Sequence, residues 1–331
     1  MQRIAVDQPD LRVLVTGATG FVGRNLVYEL LDRGYTQIHV LARKTSDLSM
    51  FEHADVKVVY GDVTDALSLD AIGETFDAIV HCAGSVQNAN AELLKRVNVE
   101  GSRNICEFAQ KKNVKRLVYV SSVAVISGNH EVPLTEELPY AATNAYGRSK
   151  LEGERIALEY RQRYLPLVIV RPPMIYGEDE PHMFDKIMML LKKGLLLLPN
   201  GGRSKLHLCY VRNVSWFLAE CLTNHKALGG TFFVADPQIL TGREVFGLLS
   251  DKVNCCDPVE LPDWVTPCLT WLPFIGERIK FFAKDREYSI EKMHRELGLV
   301  PPYAARVSLA VTAHHWLKSR EGVTTAEAEA D

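Results

Sequence analysis

The sequence has no apolar run that approaches the roughly 18–20 residues of a membrane-spanning helix. Residues 1–10 are polar and lack the apolar core of a secretory signal. The seven cysteines are scattered without a recurring C-x-x-C pair, so we expect reduced thiols, a cytoplasmic location and no metal site. A net charge of −3 gives no basic surface for nucleic acid. These absences leave a globular protein whose partners are small molecules.

The sequence does have a regular alternation of short apolar runs and helical stretches. Its 331 residues, 47% of them hydrophobic, can form one large domain or two unequal ones. Continuous β-branched runs separated by helices predict an α/β fold with a doubly wound parallel sheet, covered on both faces. The predicted strands are 13–15, 38–41, 56–60, 78–81, 117–121 and 167–170, and the predicted helices are 24–33, 66–72, 91–111 and 145–164.

The pattern changes after Arg171, because Pro172 and Pro173 interrupt any regular element. Residues 195–198 form an apolar run to which the pattern assigns no partner. The last residues, 319–331, are small and charged and predict a disordered tail. The other elements predicted in this half are helices over 183–193 and 214–223 and strands over 206–211 and 231–235.

Three glycines follow the first predicted strand at the spacing G-x-x-G-x-x-G. Gly17 permits a tight turn, Gly20 lets the backbone approach a pyrophosphate, and Gly23 lets the next helix pack closely on the strand. The start of that helix offers unpaired N–H groups and the positive end of its dipole to phosphates. A plain strand-to-helix turn is the alternative for this spacing alone. The predicted cofactor-binding residues of the turn are Gly17, Thr19, Gly20, Phe21, Val22 and Gly23.

Ser122, Tyr146 and Lys150 are the predicted catalytic residues. Tyr146 and Lys150 are four positions apart, so on a helix they share one face. A nearby ammonium and an oxidised nicotinamide both favour phenolate, and we expect them to lower the tyrosine pKa from roughly 10. Tyr146 would then protonate a carbonyl oxygen or deprotonate an alcohol. A hydroxyl at the preceding strand end can hold the substrate oxygen, and strand register decides between Ser122 and Ser121.

The glycine turn, the serine and the Tyr-x-x-x-Lys pair, in this order, resemble the extended branch of the short-chain dehydrogenase/reductase superfamily. The nearest patterns are those of dihydroflavonol reductases and 3β-hydroxysteroid dehydrogenases. The resemblance implies a Rossmann domain with a smaller C-terminal substrate lobe. It also implies that Ser122 faces the substrate and that Lys150 holds the nicotinamide ribose. The implied division is a dinucleotide-binding domain over 1–171, rejoined by about 206–236, and a substrate lobe over 172–205 and 237–318.

The end of the second predicted strand discriminates between NAD and NADP. NAD enzymes place an acidic side chain there for the ribose 2′-hydroxyl, whereas this strand runs into Arg43 and Lys44. A guanidinium matches the 2′-phosphate of NADP in charge and in forked geometry. A solvated pair of basic residues is the alternative. The sequence therefore favours NADP and leaves NAD open.

The resemblance adds cofactor-binding residues at other strand ends. Asp62 and Val63 would hold the adenine ring, with helix capping as a competing role for Asp62. Asn98 would brace the active-site backbone, or else make a local hydrogen bond in its helix. Pro173 would lie against the nicotinamide. The small residues that would let the backbone pass close to the pyrophosphate are Cys82, Ala83 and Gly84.

These residues imply hydride transfer at a carbinol carbon. We favour a secondary alcohol or ketone of a hydrophobic small molecule over a nucleotide sugar for two reasons. A basic residue such as Arg43 at the cofactor-selecting position is unlike a sugar epimerase, which retains NAD, and the acidic residue that dehydratases usually have beside the serine is replaced here by Val123. The aromatic-rich segment 258–282 would form an apolar substrate wall, a flap that touches a membrane surface, or ordinary core. Arg203 and Arg212 could still grip a phosphate. A nucleotide-sugar epimerase or dehydratase, a non-catalytic nucleotide sensor and a homodimer remain alternatives to test.

Overall fold

The computed structural model describes residues 10–271 and 276–328. The strands are β1 (Val13–Thr16), β2 (Ile38–Ala42), β3 (Lys57–Tyr60), β4 (Ala78–His81), β5 (Arg116–Val120), β6 (Leu167–Arg171), β7 (Ile175–Tyr176), β8 (Leu197–Leu198), β9 (Lys205–Leu206), β10 (Cys209–Tyr210), β11 (Thr231–Phe233), β12 (Leu240–Thr241) and β13 (Val259–Glu260). The helices are α1 (Phe21–Asp32), α2 (Ala66–Asp70), α3 (Ala91–Leu94), α4 (Gly101–Lys111), α5 (Ala145–Gln162), α6 (Phe184–Lys192), α7 (Val211–Thr223), α8 (Gly242–Val253), α9 (Thr266–Leu269), α10 (Gly276–Ala283), α11 (Glu291–Leu297) and α12 (Ala305–Ala328). A π-helical turn, Lys95–Glu100, joins α3 to α4.

The centre of the molecule is a seven-stranded parallel sheet in the order β3-β2-β1-β4-β5-β6-β11. Every residue of β1, β2, β4 and β6 is buried. Helices cover both faces of such a sheet, which explains why these strands are continuous apolar runs rather than alternating ones. The predicted doubly wound α/β fold is confirmed.

The two faces of the sheet have separate cores. On one face, β1 places Val13 and Val15 against α1 and α7, where Leu26 and Phe217 are fully buried. On the other face, Leu14 of the same strand packs with residues of α4 and α5. Successive strands are added outward on one side from β1 to β3 and on the other side from β4 onward, so a crevice opens between β1 and β4 at their carboxyl ends. That crevice is where an open parallel sheet binds its ligand.

A third core lies in the C-terminal lobe, between α6, α8 and α12. Three two-stranded sheets accompany it and lie outside the central sheet: β7 with β10, β9 with β12, and β8 with β13. The apolar run 195–198, to which the pattern assigns no partner, contains β8, which pairs with β13 in parallel. Across the described residues, no helix is both long enough and apolar enough to span a bilayer.

Two expectations for the second half differ from the structure. The single strand predicted over 206–211 is instead the end of β9, a break and β10, because its two halves pair with different partners, β12 and β7. The tail predicted as disordered from residue 319 is helical as far as Ala328, since α12 continues through it.

Candidate functional site

The glycine turn leaves no room for side chains at two of its positions. A Cβ on Gly17 would lie 2.6 Å from the backbone nitrogen of Ala83, and one on Gly23 would lie 2.2 Å from the carbonyl oxygen of Gly17. Gly17 also has φ +67°. Gly20 is the N-cap of α1, has an extended backbone and makes no side-chain capping bond. The first N–H groups of α1 are thus left for an anion such as a phosphate. The other residues predicted at this turn, Thr19, Phe21 and Val22, are half-buried.

The strand beside the turn ends in two free basic side chains. Arg43 and Lys44 directly follow β2 and are exposed. Within the described part of the chain, neither side chain has a hydrogen bond or an ion pair, and the backbone of Arg43 is bonded to Ser46 through both its N–H and its carbonyl. Their charges therefore remain available to an anionic group at this edge.

At the end of β3, Asp62 does not cap the following helix. Its carboxylate accepts hydrogen bonds from the backbone and hydroxyl of Thr64, whereas Asp65 caps α2 by accepting from two backbone N–H groups. The capping alternative for Asp62 is therefore wrong. Val63 is buried, and its side chain lies where a Cβ on Gly101 would make contact at 3.2 Å.

The end of β4 is held by a buried polar pair. Thr16 Oγ1 lies 2.8 Å from Nδ1 of His81 and accepts a hydrogen bond from the backbone of Ala83. Burial, together with the nearby charge of Lys150, lowers the pKa of His81 to about 3, so the imidazole is neutral. Burial also raises the pKa of the Cys82 thiol to about 12. These residues fix the backbone that faces the glycine turn.

Asn98 ties this backbone to the helix that carries the predicted tyrosine. It lies in the π-helical turn and is 1% exposed. Its amide accepts from the N–H of Ser85 and donates to the carbonyl of Ser85 and to the hydroxyl of Ser149. A second asparagine, Asn88, accepts the backbone N–H of Tyr146 at 2.8 Å. The loop after β4 is thus hydrogen-bonded to the start of α5 at two points, of which the sequence indicated only Asn98.

The two serines after β5 point to different partners. Ser121 donates to the Glu154 carboxylate at 2.5 Å, deep in the protein. The Ser122 hydroxyl accepts the N–H of Ala124 at 3.1 Å and lies close enough to the side chain of Tyr146 to lower the pKa of that phenol. The register therefore brings Ser122, and not Ser121, to the tyrosine.

Tyr146 and Lys150 lie on the first two turns of α5, with Asn144 as the N-cap. The Lys150 ammonium donates to the carbonyl oxygen of Val120 at 2.7 Å and lies 5.1 Å from the ring centre of Tyr119. Burial lowers the pKa of Lys150 to about 8. Burial also raises the pKa of Tyr146, and the hydrogen bond from Ser122 opposes this rise. The expected lowering of the tyrosine pKa is therefore not found in the protein chain itself, since the nearest ammonium is held at the strand end.

Beneath these residues lies a charged cluster that the sequence analysis missed. Glu154 is fully buried and forms an ion pair with Arg171 at 2.5 Å, and it also accepts the hydroxyls of Ser121 and Tyr140. Its position one turn beyond Lys150, on the same helix face, was the available signal.

The segment after β6 leads from the crevice into the C-terminal lobe. Pro173, expected against the nicotinamide, is buried, and the carbonyl of its neighbour Pro172 accepts the N–H of Val123. Met174 and Ile175, which follow, line a small cavity of about 30 Å³. Its other lining residues are almost all apolar and include Tyr176, Met183, Phe184, Ile187, Leu206, Leu208, Val245, Phe246, Leu249 and Leu309.

The two arginines considered for a substrate phosphate are already paired. Arg203 makes two hydrogen bonds to Asp263, at 2.5 and 2.7 Å, and Arg212 pairs with Glu178 at 3.2 Å. In the aromatic segment, Trp264 and Trp271 are 78% and 89% exposed, so they are not core. Leu272, Phe274 and Ile275 lie outside the described residues. Among those described, no group of three or more metal-ligating side chains comes together.

Comparison with known proteins agrees with this geometry. The sequence pattern of the NAD dependent epimerase/dehydratase family matches residues 13–235. A 3 beta-hydroxysteroid dehydrogenase/Delta 5→4-isomerase of Mycobacterium tuberculosis is 29% identical over 332 residues, which cover 90% of this chain and 88% of the relative. A UDP-glucose 4-epimerase of Vibrio cholerae is 27% identical over 332 residues, which cover 93% and 96%.

Among solved structures, the Bordetella bronchiseptica enzyme WbmG in complex with NAD and UDP superposes with a TM-score of 0.77. The match covers 93% of this chain and 96% of that one at 21% sequence identity. At this identity the likeness establishes the fold and nothing finer.

Proposed function

Because the chain belongs to the NAD-dependent epimerase/dehydratase family, we propose that it transfers a hydride between NADP and a secondary alcohol or ketone of a hydrophobic small molecule. It is an NAD(P)-dependent enzyme of the extended short-chain dehydrogenase/reductase type. The observation that carries the proposal is the meeting of Ser122 with Tyr146 at the carboxyl edge of the sheet, above the buried Lys150.

Two features of the glycine turn support cofactor binding in the crevice. Backbone atoms occupy the space that a Cβ on Gly17 or Gly23 would need, so the turn is tight. Helix α1 begins without a capping side chain, so its first N–H groups are available to phosphates. Asp62 and Val63 would hold the adenine ring, the backbone of 82–84 would pass close to the pyrophosphate, and Lys150 would hold the nicotinamide ribose. When bound, the nicotinamide supplies or accepts the hydride.

Proton transfer is the task of the protein's own side chains. Tyr146 keeps its proton at neutral pH, because burial raises its pKa, so it can donate to a developing alkoxide. Ser122 sits within hydrogen-bond reach of Tyr146 and would orient the same substrate oxygen. The sequence-based alternative of a sensor without catalysis does not suit this complete set of groups.

The preference for NADP rests on Arg43 and Lys44. Both side chains are exposed at the end of β2 and free of partners among the described residues, and no carboxylate directly follows the strand. A 2′-phosphate would give them the anion that they lack.

The substrate class rests on charge. A nucleotide diphosphate carries two negative charges and normally needs free arginines or helix N-termini. Arg203 and Arg212 are occupied by Asp263 and Glu178. The hydroxysteroid dehydrogenase from Mycobacterium tuberculosis supports the same choice by its name.

The second candidate is a nucleotide-sugar epimerase, favoured by the Vibrio cholerae relative. The two are separated by isothermal titration of UDP, together with a screen of polycyclic and aliphatic ketones for NADPH oxidation. We expect no measurable UDP binding and turnover of at least one ketone. Micromolar UDP affinity without ketone turnover would move the assignment to the epimerase.

Three further statements are part of the proposal. The protein acts in the cytoplasm on small molecules, with no nucleic-acid partner. The exposed Trp264 and Trp271 would touch a membrane surface when an apolar substrate is taken up. The third is a homodimer, for which the molar mass in solution is measured by light scattering.

A further inference from the structure

One buried carboxylate connects the elements that carry the candidate catalytic groups. Glu154 is 0% exposed. It accepts from Ser121 Oγ at 2.5 Å, from the Tyr140 hydroxyl at 2.7 Å, and from Arg171 Nη2 at 2.5 Å. Arg171 adds two longer bonds from Nε and donates to the carbonyl of Glu136. Each donor comes from a different part of the chain.

These parts are the ones that hold the site. Ser121 directly precedes Ser122, Arg171 is the last residue of β6 and directly precedes Pro172, and Glu154 lies one turn beyond Lys150 on α5. Glu154 therefore fixes the ends of β5 and β6 to the helix of Tyr146 and Lys150. A merely stabilising role explains this placement poorly, because a buried ion pair is often no better for stability than apolar residues of similar volume.

We propose that Glu154, with Arg171 as its counter-ion, is a positioning residue that acts through Lys150, keeping this lysine protonated at the end of β5. The inference rests on the proposed role of Lys150 in holding the nicotinamide ribose. Glu154 itself touches neither cofactor nor substrate.

The groups that face Lys150 leave Glu154 as its one anionic neighbour in the described site. Cys82 and His81 approach from the end of β4, Tyr119 and the carbonyl of Val120 from β5, and Tyr146 from its own helix. The thiol, the imidazole and the phenols are neutral near pH 7. Burial lowers the pKa of Lys150, and the Glu154 charge is the main opposing influence.

The test is the pH dependence of NADPH binding, followed by cofactor fluorescence from pH 6 to 10 in the full chain. The wild type should lose affinity along an alkaline limb, and Lys150→Met should remove that limb. The paired variants Glu154→Gln/Arg171→Gln and Glu154→Gln/Arg171→Met leave no lone buried charge. In them, the limb should move to lower pH by about one unit.

The matched control is Ser121→Ala/Tyr140→Phe, which removes two hydrogen bonds to Glu154 but keeps its charge, and its limb should stay in place. Circular dichroism identifies the variants that fold. The proposal is overturned if the alkaline limb of NADPH binding does not move in a paired variant that folds. It is also overturned if the limb persists in Lys150→Met, and this second outcome can be read even if both paired variants fail to fold. Failure of the wild type to bind NADPH or NADH would instead refute the proposed function.

Discussion

At the scale of single residues, the site is built around a lysine that is costly to bury. A pKa of about 8 leaves Lys150 mostly protonated at pH 7, with about one neutral amine for every ten ammonium groups. Among the described residues, its neighbours are neutral apart from Glu154, and its ammonium donates to the Val120 carbonyl. A cation held in this way at a sheet edge is ready to donate to ribose hydroxyls.

Replacing Tyr146 by phenylalanine removes the proposed proton donor and leaves the ring in place. We expect turnover of any ketone substrate to fall by roughly 10²–10⁴-fold, because general acid catalysis is lost. NADPH affinity should change little. Steady-state rates with NADPH measure this, and Tyr164→Phe is the control, since its side chain is 94% exposed. Normal turnover by Tyr146→Phe would remove the tyrosine from the mechanism.

Arg43→Asp should reverse the cofactor preference. The wild type should bind NADPH more tightly than NADH, because the guanidinium meets the 2′-phosphate, and a carboxylate there should repel that phosphate. Fluorescence titration with both cofactors gives the ratio of dissociation constants. Lys226→Asp changes the net charge equally at another exposed site and should leave the ratio unchanged. Stronger NADH binding by the wild type would contradict the assignment.

At the scale of elements, the glycine turn and α1 act as one unit. The helix packs so closely on the turn that a Cβ added to Gly23 would clash with the backbone of Gly17 and Ala18. Most strands and helices of the first half could be predicted from sequence. Strands that are buried on both faces are continuous apolar runs, and such runs can be recognised without knowing which strands pair. Ser122 lies beside Tyr146 and Asn98 is hydrogen-bonded to Ser149, both on α5, and their roles in catalysis and cofactor binding stay predictions.

Other features needed partners that the sequence does not reveal. Residues 206–211 are predicted as one strand because neither hydrophobic periodicity nor composition reveals that the two halves pair with different strands. Asp62 and Asp65 are equally good caps by residue type, and only the backbone path selects Asp65. Glu154 meets Ser121 and Arg171 across 33 and 17 positions of chain, which no local pattern predicts.

Gly23→Ala should separate the turn from its helix. The added methyl would lie 2.2 Å from the Gly17 carbonyl oxygen, so backbone must move, and overpacking of this kind costs about 1–3 kcal/mol of stability. NADPH binding should weaken with it. Gly247→Ala is the helical control, because nothing lies within 4 Å of its Cβ position, and it should be neutral or slightly stabilising. Urea unfolding and fluorescence titration give the two readouts, and equal behaviour of the two variants would argue against close packing at Gly23.

At the scale of the whole molecule, ion pairs and buried polar groups join the central sheet to the elements that follow it. Arg33 of α1 pairs with Glu220 of α7, and Asp179 bridges Arg24 of α1 and His315 of α12. Asp236 is fully buried and accepts from Tyr176, Tyr210 and Asn213. These contacts cross the boundary between the proposed dinucleotide domain and the proposed substrate lobe. The division therefore stays a proposal about function.

The buried groups also make stability depend on pH in two opposing ways. The pKa of His81 is lowered to about 3, so its contribution is present above pH 6.5 and is lost as the pH falls, at about 1.4 kcal/mol per unit. His207 is lowered as well by burial. The pKa of Asp236 is raised to about 6, so its contribution is present below pH 3.8 and is lost as the pH rises through 6. The wild-type profile between pH 4 and 6 is therefore a sum of terms of opposite sign.

A substitution at one site separates these terms. Asn in place of His81 can still accept the hydroxyl of Thr16 but does not titrate, so packing losses are the same at every pH. Relative to the wild type, His81→Asn should gain about 2 kcal/mol of unfolding free energy between pH 7 and pH 5, because only the wild type must keep a histidine neutral. Asp236→Asn should shift the difference in the opposite direction over pH 4–6. Urea unfolding at each pH gives both differences, and a pH-independent difference for His81→Asn would mean that the imidazole is not kept neutral in the folded protein.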